Sequence, residues 1–193
     1  TSHIYKLVQS GSCYFLSRPR RFGKSLLIST LAAYFKGQRE LFEGLAMEQL
    51  EKDWIEYPVL HLDLNAEIYS SLAELENILD SNLRMWEEKY GNASQNNPSL
   101  SYRFLRVIQA AKEKTGKNVV VLIDEYDKPI LQAIGNESLQ DEFRSTLKAF
   151  YGVLKSADAD LKFTLLTGVT KFGKVSVFSD LNNLKDISAS PHF

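Results

Sequence analysis

The spacing of apolar residues changes period several times along the chain, and each change marks an element. Short continuous runs predict strands over residues 13–16, 59–64, 119–123 and 161–166, the last closing on Thr167 and Gly168. Between them the apolar positions fall at helical spacing. Leu26, Leu27, Leu31, Tyr34 and Phe35 predict a helix over 24–35, with Gly37 placed to end it. Leu72, Leu75, Leu79, Leu83, Trp86 and Tyr90 form one stripe of a long helix starting at Ser71, read as core. Phe104, Val107, Ile108 and Ala111 predict a helix over 100–114, and Leu139, Phe143, Leu147, Phe150 and Leu154 predict another. Shorter helices are expected over 4–9 and 39–43, with a less regular helical stretch over 45–54. The polar, turn-rich residues 91–99 read as a surface loop. Strands alternating with helices imply an α/β domain with a mainly parallel sheet. The run Val119-Val120-Val121-Leu122-Ile123 has no polar alternation, the mark of a strand covered on both faces.

Two strand ends carry candidate chemistry. After the first strand comes Ser17-Arg18-Pro19-Arg20-Arg21-Phe22-Gly23-Lys24-Ser25, followed by Leu26 in the predicted helix. Strand, tight loop, Gly-Lys-Ser and helix is the layout of a phosphate-binding loop, with Arg18 where the pattern G-x-x-x-x-G-K-[ST] has its leading glycine. A helix opening near Lys24 aims its unpaired N–H groups and the positive end of its dipole at the loop. Arg18, Arg20, Arg21 and Lys24 place four cations within seven residues, a set that a triphosphate would neutralise. Gly23 allows close backbone approach, Lys24 would reach the outer phosphates, and the Ser25 hydroxyl would ligate Mg²⁺. The alternative is a basic surface turn capping an ordinary helix.

The strand 119–123 ends in Asp124-Glu125. Here Asp124 would hold Mg²⁺ through water, and Glu125 would act as general base toward an attacking water. The ends of strands in open α/β sheets are where ligands bind. The alternative is a solvated acidic turn running from Asp124 to Asp127. Thr167, at the end of the fourth strand, either senses the γ-phosphate and orients water or simply ends the strand. Asp63 likewise either faces a nucleotide or closes its strand. One further strand lies between Lys24 and Asp124, as in P-loop ATPases with an inserted strand.

Composition narrows the class. The chain has 193 residues, 44% of them apolar and 24% charged, enough for one sizeable core. A net charge of −1 leaves no global basic field for nucleic acid. The single cysteine, Cys13, permits no internal disulfide, fits a reducing cytoplasm, and reads as an inert core thiol. His3, His61 and His192 have no ligand spacing around them. No apolar run approaches the ~20 residues of a membrane span. The chain starts at Thr1 and stops soon after a motif, so it is expected to be a piece of a longer protein.

These residues resemble the predicted AAA-ATPase-like family abundant in Bacteroidetes. The likeness runs through Tyr14 to Leu26, Leu41-Phe42-Glu43-Gly44-Leu45 and Asp124-Glu125-Tyr126-Asp127-Lys128-Pro129. It continues in Thr167-Gly168-Val169, Lys171-Phe172, Leu181-Asn182-Asn183-Leu184 and Asp186-Ile187. Arg18 in place of glycine is that family's usual form. The resemblance implies a P-loop NTPase spanning 1–193, a three-layer α/β/α domain of the additional-strand, catalytic-glutamate type, with its final strand expected beyond residue 193. It implies ATP and Mg²⁺ as ligands, and a C-terminal PD-(D/E)XK nuclease-like domain through which DNA would be a partner. The activity expected is ATP hydrolysis, the alternative a nucleotide-sensing module without turnover. GTPase and ABC-type readings fail for want of N-K-x-D and serine-glycine-glycine signatures, and nothing nominates the acceptor pocket of a kinase. No arginine follows Arg144, so an arginine finger would come from a partner protein or another copy.

Overall fold

A computed structural model describes residues 1–91, 99–171, 177–178 and 183–189. Most of the expected loop 91–99 lies outside the described residues, as do Phe172, Lys174, Leu181, Asn182 and His192. The element order is α1 (Ser2–Ser10), β1 (Cys13–Ser17), α2 (Lys24–Phe35), α3 (Ala46–Leu50), β2 (Val59–Asp63), α4 (Leu72–Tyr90) and α5 (Leu100–Thr115). It continues with β3 (Val119–Asp124), α6 (Lys128–Gln132), α7 (Glu137–Ser156), β4 (Leu161–Gly168) and β5 (Lys185–Asp186).

The strands form one five-stranded sheet in the order β2-β3-β4-β1-β5. Every pairing is parallel. All six residues of β3 are buried, as its unbroken apolar run requires. Its side chains alternate between two cores. Val119, Val121 and Ile123 join the core built with Leu79 and Leu83 of α4, Phe104 and Ile108 of α5, and Phe143 and Leu147 of α7. Val120 and Leu122 join the opposite core, with Leu7 of α1 and Ile28, Leu31 and Phe35 of α2. Helices therefore cover both faces, and a slip of one residue in β3 would exchange the two cores. Each such aliphatic side chain stabilises the fold by ~1.5–3 kcal/mol when fully buried.

Local signals set the helix starts. Ser71 and Glu74 form a reciprocal capping box at α4. The Asn136 side chain accepts from the Leu139 N–H at α7, and Ser99 does the same for Tyr102 at α5. Three elements depart from the sequence expectation. The helical stretch expected over 45–54 contracts to α3, preceded by a 3-10 turn over Arg39–Phe42. The short helix α6 follows directly on the turn Asp124 to Asp127, where no element was expected. The final strand, expected beyond residue 193, has a counterpart inside the chain: β5 pairs with Tyr14 and Phe15 on the outer side of β1. Both β5 residues are exposed, so no apolar run marked it.

Because the strands are parallel, their C-terminal ends share one edge. Register places Ser17 beside Gly168 and Asp63 beside Asp124. The loop after β1 and the acidic turn after β3 thus open on the same edge, with β4 between them. No helix among the described residues is long and apolar enough to cross a membrane.

Candidate functional site

The loop after β1 is held at its root. Arg18 donates its N–H to the Gly168 carbonyl at 3.1 Å, and the Ser17 hydroxyl donates to Val169 O at 3.0 Å. Past that point the chain turns through two left-handed residues, Arg21 (φ 67°) and Gly23 (φ 74°), before α2 begins at Lys24. The first helical bond runs from Leu27 N–H to Gly23 O, 2.9 Å, so the N–H groups of Lys24, Ser25 and Leu26 have no intrahelical acceptor. The Lys24 side chain is buried, which for an ammonium demands partners. Its Nζ donates to Arg18 O at 2.9 Å and Pro19 O at 3.2 Å, and pairs with Glu125 Oε1 at 3.1 Å.

Around this ion pair lies a cleft of about 400 Å³. From the loop and α2 it is lined by Arg20, Arg21, Gly23, Lys24, Ser25 and Leu26. Glu125, Lys128, Leu131, Asn65 and Val169 line the rest. Of the loop residues singled out by the sequence, Arg18 and Pro19 contribute their carbonyls to Lys24. Phe22 is 67% exposed and does not line the cleft.

The carboxylates are fixed from behind. Asp124, buried at the end of β3, accepts from the Thr167 hydroxyl at 2.5 Å. That hydroxyl oxygen in turn accepts from the Glu125 N–H at 3.4 Å. Glu125 itself is left-handed (φ 55°), an uncommon conformation for a residue with a side chain. The bend ends the strand and leaves Glu125 on the cleft, while the next residue is tied by Tyr126 N–H to Thr167 O at 2.9 Å. Thr167 is fully buried, and its hydroxyl bonds Asp124 and the Glu125 backbone. Asp63 accepts from the Asn65 N–H at 2.7 Å, a turn that closes its strand.

Sequence reasoning missed three participants. Asp127 is buried and accepts from Val169 N–H (3.1 Å), Thr170 N–H (2.7 Å) and the Thr170 hydroxyl (2.8 Å). Tyr126 packs on Phe15, ring centroids 5.5 Å apart, and its hydroxyl donates to Thr170 O at 3.0 Å. Lys128 lines the cleft beside Asn65. All three belong to the Asp124 to Pro129 block that carries the family resemblance, but their roles depend on distant partners: Val169 and Thr170 about forty residues on for Asp127 and Tyr126, and Asn65 well upstream for Lys128.

The donor chemistry suits a hard cation. Ser25 offers a hydroxyl on the cleft, and Asp124, buried next to the cleft-lining Glu125 and not itself lining the cleft, carries a carboxylate; both are oxygen ligands of the kind Mg²⁺ takes. Among the described residues no three His, Cys, Asp or Glu side chains gather into a metal cage. A site of this kind completes its coordination with water and phosphate oxygens. Cys13 plays no part: burial and then the charge of Asp158 push its thiol up to about 11.

The family described as "Predicted AAA-ATPase" matches residues 1–178. A curated relative described as "Uncharacterized protein in vnfD 5'region", from Azotobacter chroococcum mcd 1, is 41% identical over 194 residues. That match takes in 100% of this chain and 37% of the relative, so the chain spans little more than a third of that protein's length. No solved structure matches the chain. The chain belongs to the predicted AAA-ATPase family, and its fold is an α/β domain with a five-stranded parallel sheet consistent with a P-loop-like architecture.

Proposed function

We propose that this domain binds ATP with Mg²⁺ and hydrolyses it, as a P-loop NTPase of the additional-strand, catalytic-glutamate type. The observation that carries the reading is the meeting of Lys24 and Glu125, 3.1 Å apart, in one cleft at the strand ends. The position of β4 between β1 and β3 supports the additional-strand assignment. Lys24 would exchange the neutral carbonyls of Arg18 and Pro19 for phosphate oxygens, a stronger charge-assisted contact. The N–H groups opening α2 and the cations of Arg20 and Arg21 add to the same field. Ser25 and Asp124 would hold Mg²⁺, which when bound neutralises charge on the phosphates.

Glu125 takes a proton from water as the water oxygen bonds to the terminal phosphorus. The bond from that phosphorus to the bridging oxygen breaks, and ADP leaves with the electron pair. Thr167 holds the Asp124 carboxylate through its hydroxyl and Glu125 through the Glu125 backbone N–H, while the Glu125 carboxylate is paired with Lys24. In a longer protein the ATPase would work beside the nuclease-like domain that the family resemblance implies, with DNA as the polymer handled. The Azotobacter relative has room for such a domain outside the matched region.

Titration calorimetry with ATP and Mg²⁺ tests the assignment. Lys24→Ala should weaken binding at least ~10-fold, equivalent to ~1.4 kcal/mol. Equal affinity for variant and parent would mean that the loop is not a phosphate site.

A further inference from the structure

Lys128 lines the same cleft as Lys24, Ser25 and Glu125, yet no phosphate-loop pattern contains it. It opens α6, three residues after Glu125. Its side chain is half-buried, and its ammonium donates to the Asn65 backbone carbonyl and, at 3.3 Å, to the Asn65 side-chain oxygen. Both acceptors are neutral. Among the described residues Lys128 has no carboxylate partner, whereas Lys24, Lys112 and Lys171 pair with Glu125, Asp160 and Asp186. An ammonium partly removed from water and bonded only to neutral oxygens gains from an anionic one, because charge-assisted bonds are roughly twice as strong as neutral ones.

The sheet order says from where it would reach. Lys24 follows β1 and Lys128 follows β3, and β4 separates the two strands. The two cations therefore enter the cleft from elements on opposite sides of the β4 end, and the Lys24 ammonium reaches across to pair with Glu125, three residues before Lys128. Both lysines line one cleft of about 400 Å³, so an anion that Lys24 binds there lies in the space Lys128 also borders.

We propose that Lys128 is a second phosphate-binding cation, meeting the terminal phosphate of a nucleoside triphosphate from the side opposite Lys24. The inference rests on the triphosphate reading above and adds a specificity to it. A diphosphate lacks the group that Lys128 contacts, so this residue sets the preference for triphosphate over diphosphate. Asn65 holds the ammonium at the cleft wall and releases it to the anion.

The test is calorimetry with two probes, the non-hydrolysable triphosphate analogue AMPPNP and ADP, each with Mg²⁺. The parent should prefer the triphosphate. Lys128→Gln should lower triphosphate affinity about 10-fold and change ADP affinity less than ~2-fold, with an unchanged melting temperature. Lys128→Arg, which keeps the charge, should restore most of the preference. A parent with no triphosphate preference, an unaltered triphosphate affinity in Lys128→Gln, or an equal loss of both nucleotides would overturn the role of Lys128. A parent that binds neither probe overturns the triphosphate reading itself, and this inference with it.

Discussion

The loop over residues 18–24 and the paired turns that end β3 and β4 meet at one cleft but are held differently. The loop is anchored at Arg18 and again at Lys24, and between those points Pro19, Arg20, Arg21 and Phe22 are exposed. In the paired turns Asp124, Tyr126, Asp127, Thr167 and Gly168 are all buried. Their polar groups answer one another: Thr167 with Asp124 and Glu125, Asp127 with Val169 and Thr170. A satisfied buried network of this kind holds one geometry. The exposed cations of the loop can thus adapt to a ligand while Asp124, Asp127 and the backbone of Glu125 stay fixed. That division suits a site in which phosphates are gathered by charge and water is activated by position.

The largest test of this contrast is Glu125→Gln. The amide keeps the shape of the side chain but cannot take a proton from water. Turnover should fall ~10²–10⁴-fold, the usual contribution of a positioned general base, while ATP binding stays within a few-fold. Steady-state hydrolysis and calorimetry on the same preparation separate the two. If binding were lost and turnover per bound ATP kept, Glu125 would belong with the adaptable side of the cleft.

Next comes Asp127→Ala, which strips the acceptor from two N–H groups and one hydroxyl at once. Each orphaned group costs ~1–3 kcal/mol, and neighbouring losses do not add in full. About 3 kcal/mol of stability should go, lowering Tm by ~6–12 °C for a chain of this size. Thermal unfolding followed by circular dichroism reads this directly. A parent-like melt would show that the paired turns are no more rigid than the loop.

The same contrast explains what the sequence could disclose. The loop and α2 were legible because their signals are local: Gly23-Lys24-Ser25 sits at a helix start, and the predicted helix over 24–35 coincides with α2. The unbroken run of β3 disclosed a buried strand and, at its end, Asp124 and Glu125. Asp127 was not legible, since its burial depends on Val169 and Thr170 folding back from the end of β4. Thr167 showed as a strand end and a candidate γ-phosphate sensor, but not that its hydroxyl bonds Asp124 and the Glu125 backbone. The helix α6 is five residues long, too short for a hydrophobic period, and β5 has two exposed residues and none.

The smallest effects come from two glycines, one in each region, and they should fail for opposite reasons. At Gly168 a Cβ would stand 2.4 and 2.5 Å from the Tyr126 ring and 2.7 Å from Asp127 Oδ1. The ring has nowhere to go: it is fully buried, lies 4.9 Å from the Phe178 ring by centroid, and its hydroxyl is bonded to Thr170 O. Gly168→Ala should therefore cost ~2 kcal/mol by overpacking and lower Tm by ~4–8 °C. At Gly23 a Cβ would meet nothing within 4 Å, but the backbone has φ 74°. Gly23→Ala should cost only the left-handed penalty, ~1 kcal/mol, or ~2–4 °C. Asparagine separates the two causes, because it tolerates left-handed backbone but is larger than alanine. Gly23→Asn should recover most of the loss seen with alanine, and Gly168→Asn should deepen it. If asparagine instead rescued Gly168, the constraint there would be conformational, and the packed turns would differ from the loop in degree alone.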